Sequence, residues 1–298
     1  MNRQDQRAAV RAALLAARHQ PAIVADERAG YEAFATARPI DPALVADDVE
    51  LGGRPAVRLR AGDESDTVLL YLHGGGYVVG SQHTGARLAG ALLTRTGGTA
   101  YSLDYRLAPE HPHPAAVQDA LTAYRELLET TAPTDLLVAG DSAGGGLTVA
   151  LLAAARAAGL PQPGAAAVFS PWTDLTLSGA SLAGRAAADP IFDVAALRWY
   201  VAQVAPAPGA ARSASPIFTD LSGLAPLLIQ VGGDEILLDD AVRLAKRAVA
   251  DGVEVTLEVA PGLPHVYQLN FDHLADADDA LDRAAAFLTR RLPARQRA

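Results

Sequence analysis

Short apolar runs alternate with longer helix-like segments along most of the chain, and this alternation constrains the fold more than any other feature. Several runs are almost continuously apolar, as strands are when both faces of their sheet are covered. The strand-like runs occupy residues 56–60, 67–72, 99–103, 136–139, 165–170, 226–231 and 253–259, and the helix patterns occupy residues 115–130, 142–158, 237–250 and 274–292. Helices between consecutive apolar strands predict an α/β protein with a mostly parallel central sheet flanked by helices.

Two parts of the chain fall outside this alternation. The first fifty residues have helical spacing and a break at Pro39 and Pro42, and they fit either a lid or a decoration at the edge of the sheet. Between Leu175 and Pro226 the strand pattern stops, and residues 193–204 predict a helix within an insertion above the sheet. We expect one domain over residues 1–298, a length that a single large core can span.

The composition excludes several classes of function. The formal net charge of -9 argues against nucleic acid or an anionic membrane as partner, because phosphates repel an acidic surface. The chain has no cysteine, which excludes disulfides, a thiolate nucleophile and thiolate metal ligands. It also has no apolar run of about 18 residues, and its N-terminal residues are too polar for a signal peptide. We therefore expect a soluble, cytoplasmic protein.

The stretch from Gly140 to Gly144 reads Gly-Asp-Ser-Ala-Gly and lies between an apolar strand and a helix. A strand that enters a helix through so tight a turn exposes the middle residue, Ser142, and the two glycines leave room for the bend. The motif alone also fits a glycine-rich turn without chemistry. Its interpretation therefore depends on the rest of the chain.

Two later loops supply the partners that a nucleophilic serine needs. A serine hydroxyl reacts only with a general base in hydrogen-bond reach, itself oriented by a third group. Asp234 follows one predicted strand and His265 follows the last, so both belong to the sheet edge where loops after parallel strands converge. The order Ser142, Asp234, His265 is the nucleophile–acid–base order of α/β-hydrolases.

Three further carboxylates compete with Asp234 for the role of the acid. Asp234 is preferred because it is nearest to the end of the strand. The side chain of the next acid along the chain is expected to point elsewhere, and the other two acids lie on the following helix. The rival residues are Glu235, Asp239 and Asp240. Carboxylates near the start of a helix also stabilise its positive dipole end, which is an alternative role for them.

A glycine-rich segment, His73-Gly74-Gly75-Gly76, directly follows a buried strand. Consecutive glycines let the backbone approach a ligand and turn its N–H groups inward, as donors to the oxyanion of a tetrahedral intermediate. The N–H of Ala143, just after Ser142, is the other expected donor. The alternatives are a flexible loop or a phosphate cradle, although the known phosphate-loop patterns are absent here.

Several motifs together resemble the bacterial hormone-sensitive-lipase family of esterases. They cover the chain from about residue 55 onward. They are His73–Gly76, Tyr105-Arg106-Leu107-Ala108-Pro109-Glu110, Gly140–Gly145, Ser170-Pro171-Trp172-Thr173-Asp174, residues 233–239 and Pro264-His265. The acid motif of the family often reads Asp-Pro-Leu, and Glu235 replaces the proline in this chain.

The resemblance implies an α/β-hydrolase core with a helical cap formed by about residues 1–50 and 175–225. It also implies Ser142 as nucleophile, His265 as base, Asp234 as its orienting acid, and a histidine at position 73 that braces the loop rather than reacts. Gly75, Gly76 and Ala143 are the implied oxyanion donors. The supporting positions of the two motifs are His73, Gly74, Gly140, Asp141 and Gly144.

These patterns predict a serine carboxylesterase acting on small molecules, and the resemblance to the family implies short to medium acyl esters as its substrates. The same machinery also fits a lactone hydrolase or an N-acetyl hydrolase acting on a secondary metabolite, and the fold alone would fit a non-catalytic binding protein. We expect neither cofactor nor metal ion, since His111 and His113 lack a further ligand cluster. The strand 253–259 and a neighbouring helix could offer a face for a homodimer. Cap residues that could line an apolar pocket are Tyr31, Phe34, Phe192, Leu197, Trp199 and Tyr200.

Overall fold

The computed structural model describes residues 1–62 and 65–292. Within these residues, eight strands form one sheet in the spatial order β1-β2-β4-β3-β5-β6-β7-β8. The strands are β1 Val45–Leu51, β2 Arg54–Arg60, β3 Val68–Leu72, β4 Thr99–Leu103, β5 Leu136–Asp141, β6 Ala165–Phe169, β7 Leu227–Gly232 and β8 Val255–Ala260. Strand β2 is antiparallel to both of its neighbours, and β3 to β8 are parallel to one another.

Ten helices surround the sheet in the described part of the chain. Their bounds are α1 Arg3–Ala17, α2 Val24–Thr36, α3 Gln82–Thr96, α4 Ala115–Thr130, α5 Ala143–Ala157, α6 Ser181–Gly184, α7 Val194–Val204, α8 Ala210–Ser213, α9 Leu238–Ala250 and α10 Ala275–Thr289. Across the same residues, no helix combines the length and the apolar character needed to cross a bilayer.

Alternate residues of the central strands enter two separate cores, because successive side chains of a strand point to opposite faces. On β3, Leu70 and Leu72 pack with α4, α5 and α9 on one face of the sheet. Leu69 and Tyr71 pack with α3 and α10 on the other face. The predicted sheet covered on both faces is therefore confirmed.

The cap is predicted to comprise about residues 1–50 and 175–225. Helix α1 has one buried residue, Val10, and α2 has none among its described residues, so polar contacts hold much of this part of the chain. The boundary at about residue 50 is wrong, because β1 begins at Val45 and belongs to the sheet. Helices α6 to α8 lie in the predicted insertion. The single domain predicted for residues 1–298 includes 63–64 and 293–298, which lie outside the described residues.

Strand β8 forms one edge of the sheet. Its side chains Leu257 and Val259 are exposed, as are Val242 and Val249 on the neighbouring helix α9. This exposed apolar group lies where a dimer face is expected, and the homodimer stays a prediction.

Candidate active site

The predicted turn around Ser142 joins β5, which ends at Asp141, to α5, which begins at Ala143. Ser142 has a φ of 53°, in the left-handed region that residues with a Cβ rarely adopt. A Cβ at Gly140 or at Gly144 would overlap a backbone carbonyl, that of Gly144 or that of Leu72 respectively. The absence of a side chain at positions 140 and 144 therefore permits the bend that places Ser142 at the turn.

Ser142 and His265 lie together, as the sequence predicts. The Nε2 atom of His265 is 2.9 Å from the Oγ atom of Ser142, and both residues are buried. His265 lies in the segment after β8, which reaches the same sheet edge as the turn after β5. A neutral imidazole whose Nδ1 carries the proton would accept the serine proton at Nε2.

The acid beside His265 is Glu235, and the prediction of Asp234 is wrong. The Oε1 atom of Glu235 lies 2.9 Å from Nδ1 of His265, and Glu235 is fully buried. The carboxylate of Asp234 instead lies 3.7 Å from Nη1 of Arg11 on α1, with 28% of its side chain exposed.

The path of the backbone after β7 explains this difference. The histidine segment packs directly on Gly232, where a Cβ would overlap the carbonyl of Leu263, and the N–H of Asp234 donates to that same carbonyl at 3.0 Å. With its backbone tied there, residue 234 directs its side chain toward α1, and residue 235 directs its side chain toward His265. Proximity to the strand end was therefore a poor guide to side-chain direction.

The other rival acids have structural contacts. Asp239 accepts a hydrogen bond from the N–H of Ser181 at 3.0 Å. Asp240 is buried and accepts hydrogen bonds from the N–H groups of Thr173 and Asp174 at 2.7 and 2.8 Å. Both carboxylates thus join the segment after β6 and the insertion to α9.

Ser170 holds the acid and the base segments together. Its Oγ donates to Oε2 of Glu235 at 2.7 Å and accepts from the N–H of Val266 at 3.0 Å. The N–H of Gly232 also donates to Oε2 of Glu235, at 2.9 Å. Sequence reasoning assigns no role to Ser170, although this residue begins the Ser-Pro-Trp motif that is part of the family resemblance.

Opposing effects act on the pKa of His265. Burial lowers the pKa of the imidazole, whereas the carboxylates of Glu235, Asp189 and Asp141 raise it, and the net direction is upward. The protonated form of the imidazole is therefore stabilised relative to that of an ordinary histidine.

The glycine loop and Ser142 line the same cavity. Gly75 and Gly76 have φ values of 111° and 61°, and in the described residues no backbone or side-chain acceptor is hydrogen-bonded to their N–H groups. Ala143 is the first residue of α5, where N–H groups have no intrahelical acceptor. These three N–H groups stay the predicted oxyanion donors.

Asp141 fixes the glycine loop to the turn. Its Oδ1 accepts hydrogen bonds from the hydroxyl of Tyr71 at 2.8 Å and from the N–H of Gly74 at 3.0 Å. Burial raises the pKa of Asp141 to about 6, against the opposing effect of these donors. The loop and the serine turn are therefore joined by one carboxylate.

The side chain and backbone of His73 stabilise the glycine loop through a ring contact and hydrogen bonds. Its ring stacks on Tyr105 with centroids 4.2 Å apart, and the hydroxyl of Tyr105 donates to the carbonyl of His73 at 2.7 Å. Nδ1 of His73 lies 2.6 Å from the carbonyl of Gly74, and burial lowers the pKa of the imidazole to about 4. A neutral, stacked ring in this position matches the bracing role that the resemblance implies.

The cavity above Ser142 has a volume of about 380 Å³ and a mostly apolar wall. Five of the six predicted cap residues line it, namely Tyr31, Phe34, Phe192, Leu197 and Tyr200. Trp199 instead packs edge-on against Tyr200, with ring centroids 5.0 Å apart. Charged residues at the wall include Arg18, Asp26 and Glu27. Among residues 1–62 and 65–292, no group of three or more histidine or acidic side chains is arranged to hold a metal ion.

Comparison with known proteins agrees with this architecture. A family model described as an alpha/beta hydrolase fold matches residues 69–269. An acetyl-hydrolase of Streptomyces hygroscopicus is 44% identical over 247 residues, which cover 81% of this chain and 82% of that protein. An esterase of Acinetobacter venetianus is 32% identical over 255 residues, which cover 84% of each chain.

Solved structures extend the likeness to nearly the whole chain. The crystal structure of an esterase from the bacterial hormone-sensitive lipase family superposes with a TM-score of 0.93 at 38% identity, and it covers 98% of this chain and 100% of that one. A mutant of the esterase E40 gives a TM-score of 0.92 at 39% identity over 98% and 100% of the two chains. The chain therefore belongs to the α/β-hydrolases, in the bacterial hormone-sensitive-lipase family of esterases.

Proposed function

We propose that this protein is a serine carboxylesterase that hydrolyses short to medium acyl esters through Ser142, His265 and Glu235. The observation that carries the proposal is the continuous hydrogen-bonded series from Oγ of Ser142 to His265 and on to Glu235, with both distances 2.9 Å. This geometry meets the requirement for an activated nucleophile with an oriented base.

In the first half of the reaction, Oγ of Ser142 attacks the ester carbonyl carbon while its proton passes to Nε2 of His265. The carbonyl oxygen becomes an oxyanion beside the N–H groups of Gly75, Gly76 and Ala143. When the C–O bond to the alcohol breaks, His265 gives its proton to the departing oxygen, and the acyl group stays on Ser142.

In the second half, water takes the place of the alcohol. His265 accepts a proton from the water, whose oxygen attacks the acyl carbon, and the proton then passes to Oγ of Ser142 as the carboxylic acid leaves. Glu235 keeps Nδ1 of His265 protonated and stabilises the imidazolium in both halves. Ser170 and Gly232 hold Glu235 in that orientation.

The cavity supports a small or medium-sized ester as substrate. Its volume of about 380 Å³ lies in the range of pockets that enclose small molecules. Its wall is predominantly apolar, with Val79, Phe192 and Leu197 among the lining residues, which suits an acyl chain or an apolar alcohol.

Activity on a series of p-nitrophenyl esters tests the proposal. We expect turnover of the acetate, butyrate and octanoate to exceed that of the palmitate. Ser142→Ala should reduce kcat by at least about 10³-fold, because the acyl-enzyme can no longer form. Unchanged turnover in Ser142→Ala would overturn the mechanism, and a maximum at palmitate would overturn the proposed chain length.

The removal of acetyl groups from an amide is a second candidate. A relative that is 44% identical to this chain is named an acetyl-hydrolase, which favours an acetyl group as the acyl part of the substrate, bonded to either oxygen or nitrogen. The acyl-enzyme step is shared by esters, lactones and amides, so a panel of matched acetate esters, lactones and acetamides separates them. An exclusive preference for acetamides would replace the ester proposal, and an exclusive preference for lactones would do the same.

A further inference from the structure

A buried carboxylate, Asp189, joins two segments that flank His265. Asp189 is 1% exposed and lies in the insertion, within the segment 188–193 that precedes α7. Its Oδ1 accepts hydrogen bonds from the N–H groups of Ile191 at 2.7 Å and Phe192 at 2.9 Å. Its Oδ2 accepts one from the N–H of Ile236 at 2.8 Å.

Two of these bonds involve residues that lie next to the triad, Ile236 and Phe192. Ile236 directly follows Glu235, so the bond to Asp189 fixes the backbone that carries the acid. The ring of Phe192 stands edge-on to the imidazole of His265, with ring centroids 5.2 Å apart, and it lines the cavity. The carboxylate of Asp189 therefore holds both the segment that carries Glu235 and the part of the cavity wall that contains Phe192.

The first helix contacts the outer side of the same segment through two arginines. Arg11 donates to the carbonyl of Ala188 at 2.6 Å. Arg18, next to the end of α1, donates to the carbonyls of Asp189 and Phe192, both at 3.2 Å. Since Val10 is the single buried residue of α1, these bonds are a substantial part of what ties the helix to the site.

We propose that Asp189 is a positioning residue that holds Glu235 and Phe192 in register with His265, and that α1 supports this arrangement through Arg11 and Arg18. The proposal rests on the Ser142–His265–Glu235 triad proposed above. It adds a connection from the N-terminal helix to the catalytic base that runs through one carboxylate.

A carboxylate suits this position better than an amide would. Three N–H groups converge on Asp189, and both of its oxygens are acceptors. An asparagine has one acceptor oxygen, so its NH₂ group would face either Ile236 or the pair Ile191 and Phe192, and at least one buried N–H would lose its partner.

Asp189 also contributes negative charge near His265. The ionisable groups that act on the imidazole are the carboxylates of Glu235, Asp189 and Asp141, and Phe192 adds an uncharged ring. Burial raises the pKa of Asp189 itself, while the N–H groups of Phe192, Ile236 and Ile191 oppose that rise. Removing its charge should therefore lower the pKa of His265 as well as loosen Glu235.

The test compares Asp189→Asn with Asp240→Asn. Asp240 is a matched control, since it is a buried carboxylate that accepts backbone N–H groups, and in the described residues it has no hydrogen bond to Glu235 or His265. For Asp189→Asn we expect kcat to fall by about 10²-fold, as a small misplacement of catalytic groups can cause. The acid limb of kcat/KM should also move to lower pH, and the control should leave that limb in place.

Two results would overturn the proposal. One is a kcat within about twofold of wild type in folded Asp189→Asn. The other is a fall in kcat with an unmoved acid limb, as in the control, which would leave Asp189 an ordinary structural residue. Ser142→Ala, assayed in parallel, distinguishes a failure of this proposal from a failure of the proposed triad, because retention of activity in Ser142→Ala would overturn the triad itself.

A second pair of variants covers the case in which Asp189→Asn does not fold. Arg11→Met removes the bond to Ala188 and the ion pair to Asp234 from a partly exposed position, and Arg7→Met, at a partly exposed position of the same helix, removes a salt bridge to Asp276 on α10. We expect Arg11→Met to lower kcat several-fold more than Arg7→Met at equal folded content. Equal kcat in the two variants would overturn the role of α1.

Discussion

Nδ1 of His265 lies 2.9 Å from a carboxylate oxygen of Glu235, a residue fixed from its other side by Ser170 and Gly232. Asp234, the preceding residue in the chain, faces Arg11 instead. Two adjacent acids thus occupy different environments, and this difference makes their roles separable by experiment.

Glu235→Gln and Asp234→Asn form a matched pair of isosteric changes. Glu235→Gln removes the charge that stabilises the imidazolium and favours the wrong tautomer of His265, so kcat should fall by about 10³- to 10⁴-fold. Asp234→Asn should keep kcat within a few-fold of wild type. Steady-state kinetics on p-nitrophenyl butyrate measures kcat for both variants. A larger loss of kcat in Asp234→Asn than in Glu235→Gln would return the acid role to Asp234.

The pH dependence of kcat/KM should report the ionisation of His265. Activity requires the neutral imidazole, so the rate should rise with pH through the pKa of His265 and then level off. Burial lowers that pKa, but the neighbouring carboxylates, with Glu235 foremost, raise it above the usual value for histidine. We expect the acid limb to lie above an ordinary histidine pKa and to move lower in Glu235→Gln. An acid limb that Glu235→Gln leaves in place would contradict this assignment.

Gly75→Ala should disable the oxyanion site. A Cβ there would overlap the carbonyl of Val79, and the φ of 111° is unfavourable for alanine. Displacing the loop removes N–H donors from the oxyanion, and kcat should fall by about 10²- to 10³-fold.

The control for this change is Gly209→Ala. Gly209 also has a positive φ, 78°, but beyond its chain neighbours no atom of the described residues lies within 4 Å of the place that a Cβ would take. The change should cost about 1–2 kcal/mol of stability and leave kcat near wild type. If both alanine variants lose kcat equally, the effect comes from general destabilisation, and the role of Gly75 is refuted.

Ser170→Ala tests the support of the acid. The change removes a hydrogen-bond donor to Oε2 of Glu235 and leaves the N–H of Val266 without its acceptor in a buried site. We expect a loss of about 1–3 kcal/mol in the free energy of unfolding and a fall in kcat. Urea denaturation and kinetics measure the two effects, and Ser213→Ala, at an exposed serine on α8, should change neither. Wild-type stability and kcat in Ser170→Ala would contradict the role.

Sequence patterns predicted the parts of this protein that depend on local chemistry. The strand–turn–helix at Ser142 was predictable because few other residues fit positions 140 and 144, and His265 followed from its place after the last strand. The fold followed from the buried, nearly continuous apolar runs of β3, β5 and β7.

The acid and its supports depend instead on contacts between distant segments. Whether residue 234 or 235 faces His265 is decided by the packing of Leu263 against Gly232, which no local pattern encodes. The bond from Asp189 to Ile236 spans 47 positions and joins an irregular segment to a loop. Strand β1 was missed for a similar reason, since its mostly exposed edge lacks an apolar run.

The most direct measurement of the central claim is covalent labelling by a fluorophosphonate, followed by peptide mass spectrometry. We predict one adduct on Ser142 of the wild-type protein, with esterase activity lost in proportion to labelling, and no adduct in Ser142→Ala. Labelling at another residue, or full labelling of Ser142 with esterase activity retained, would contradict the assignment of Ser142 as the nucleophile.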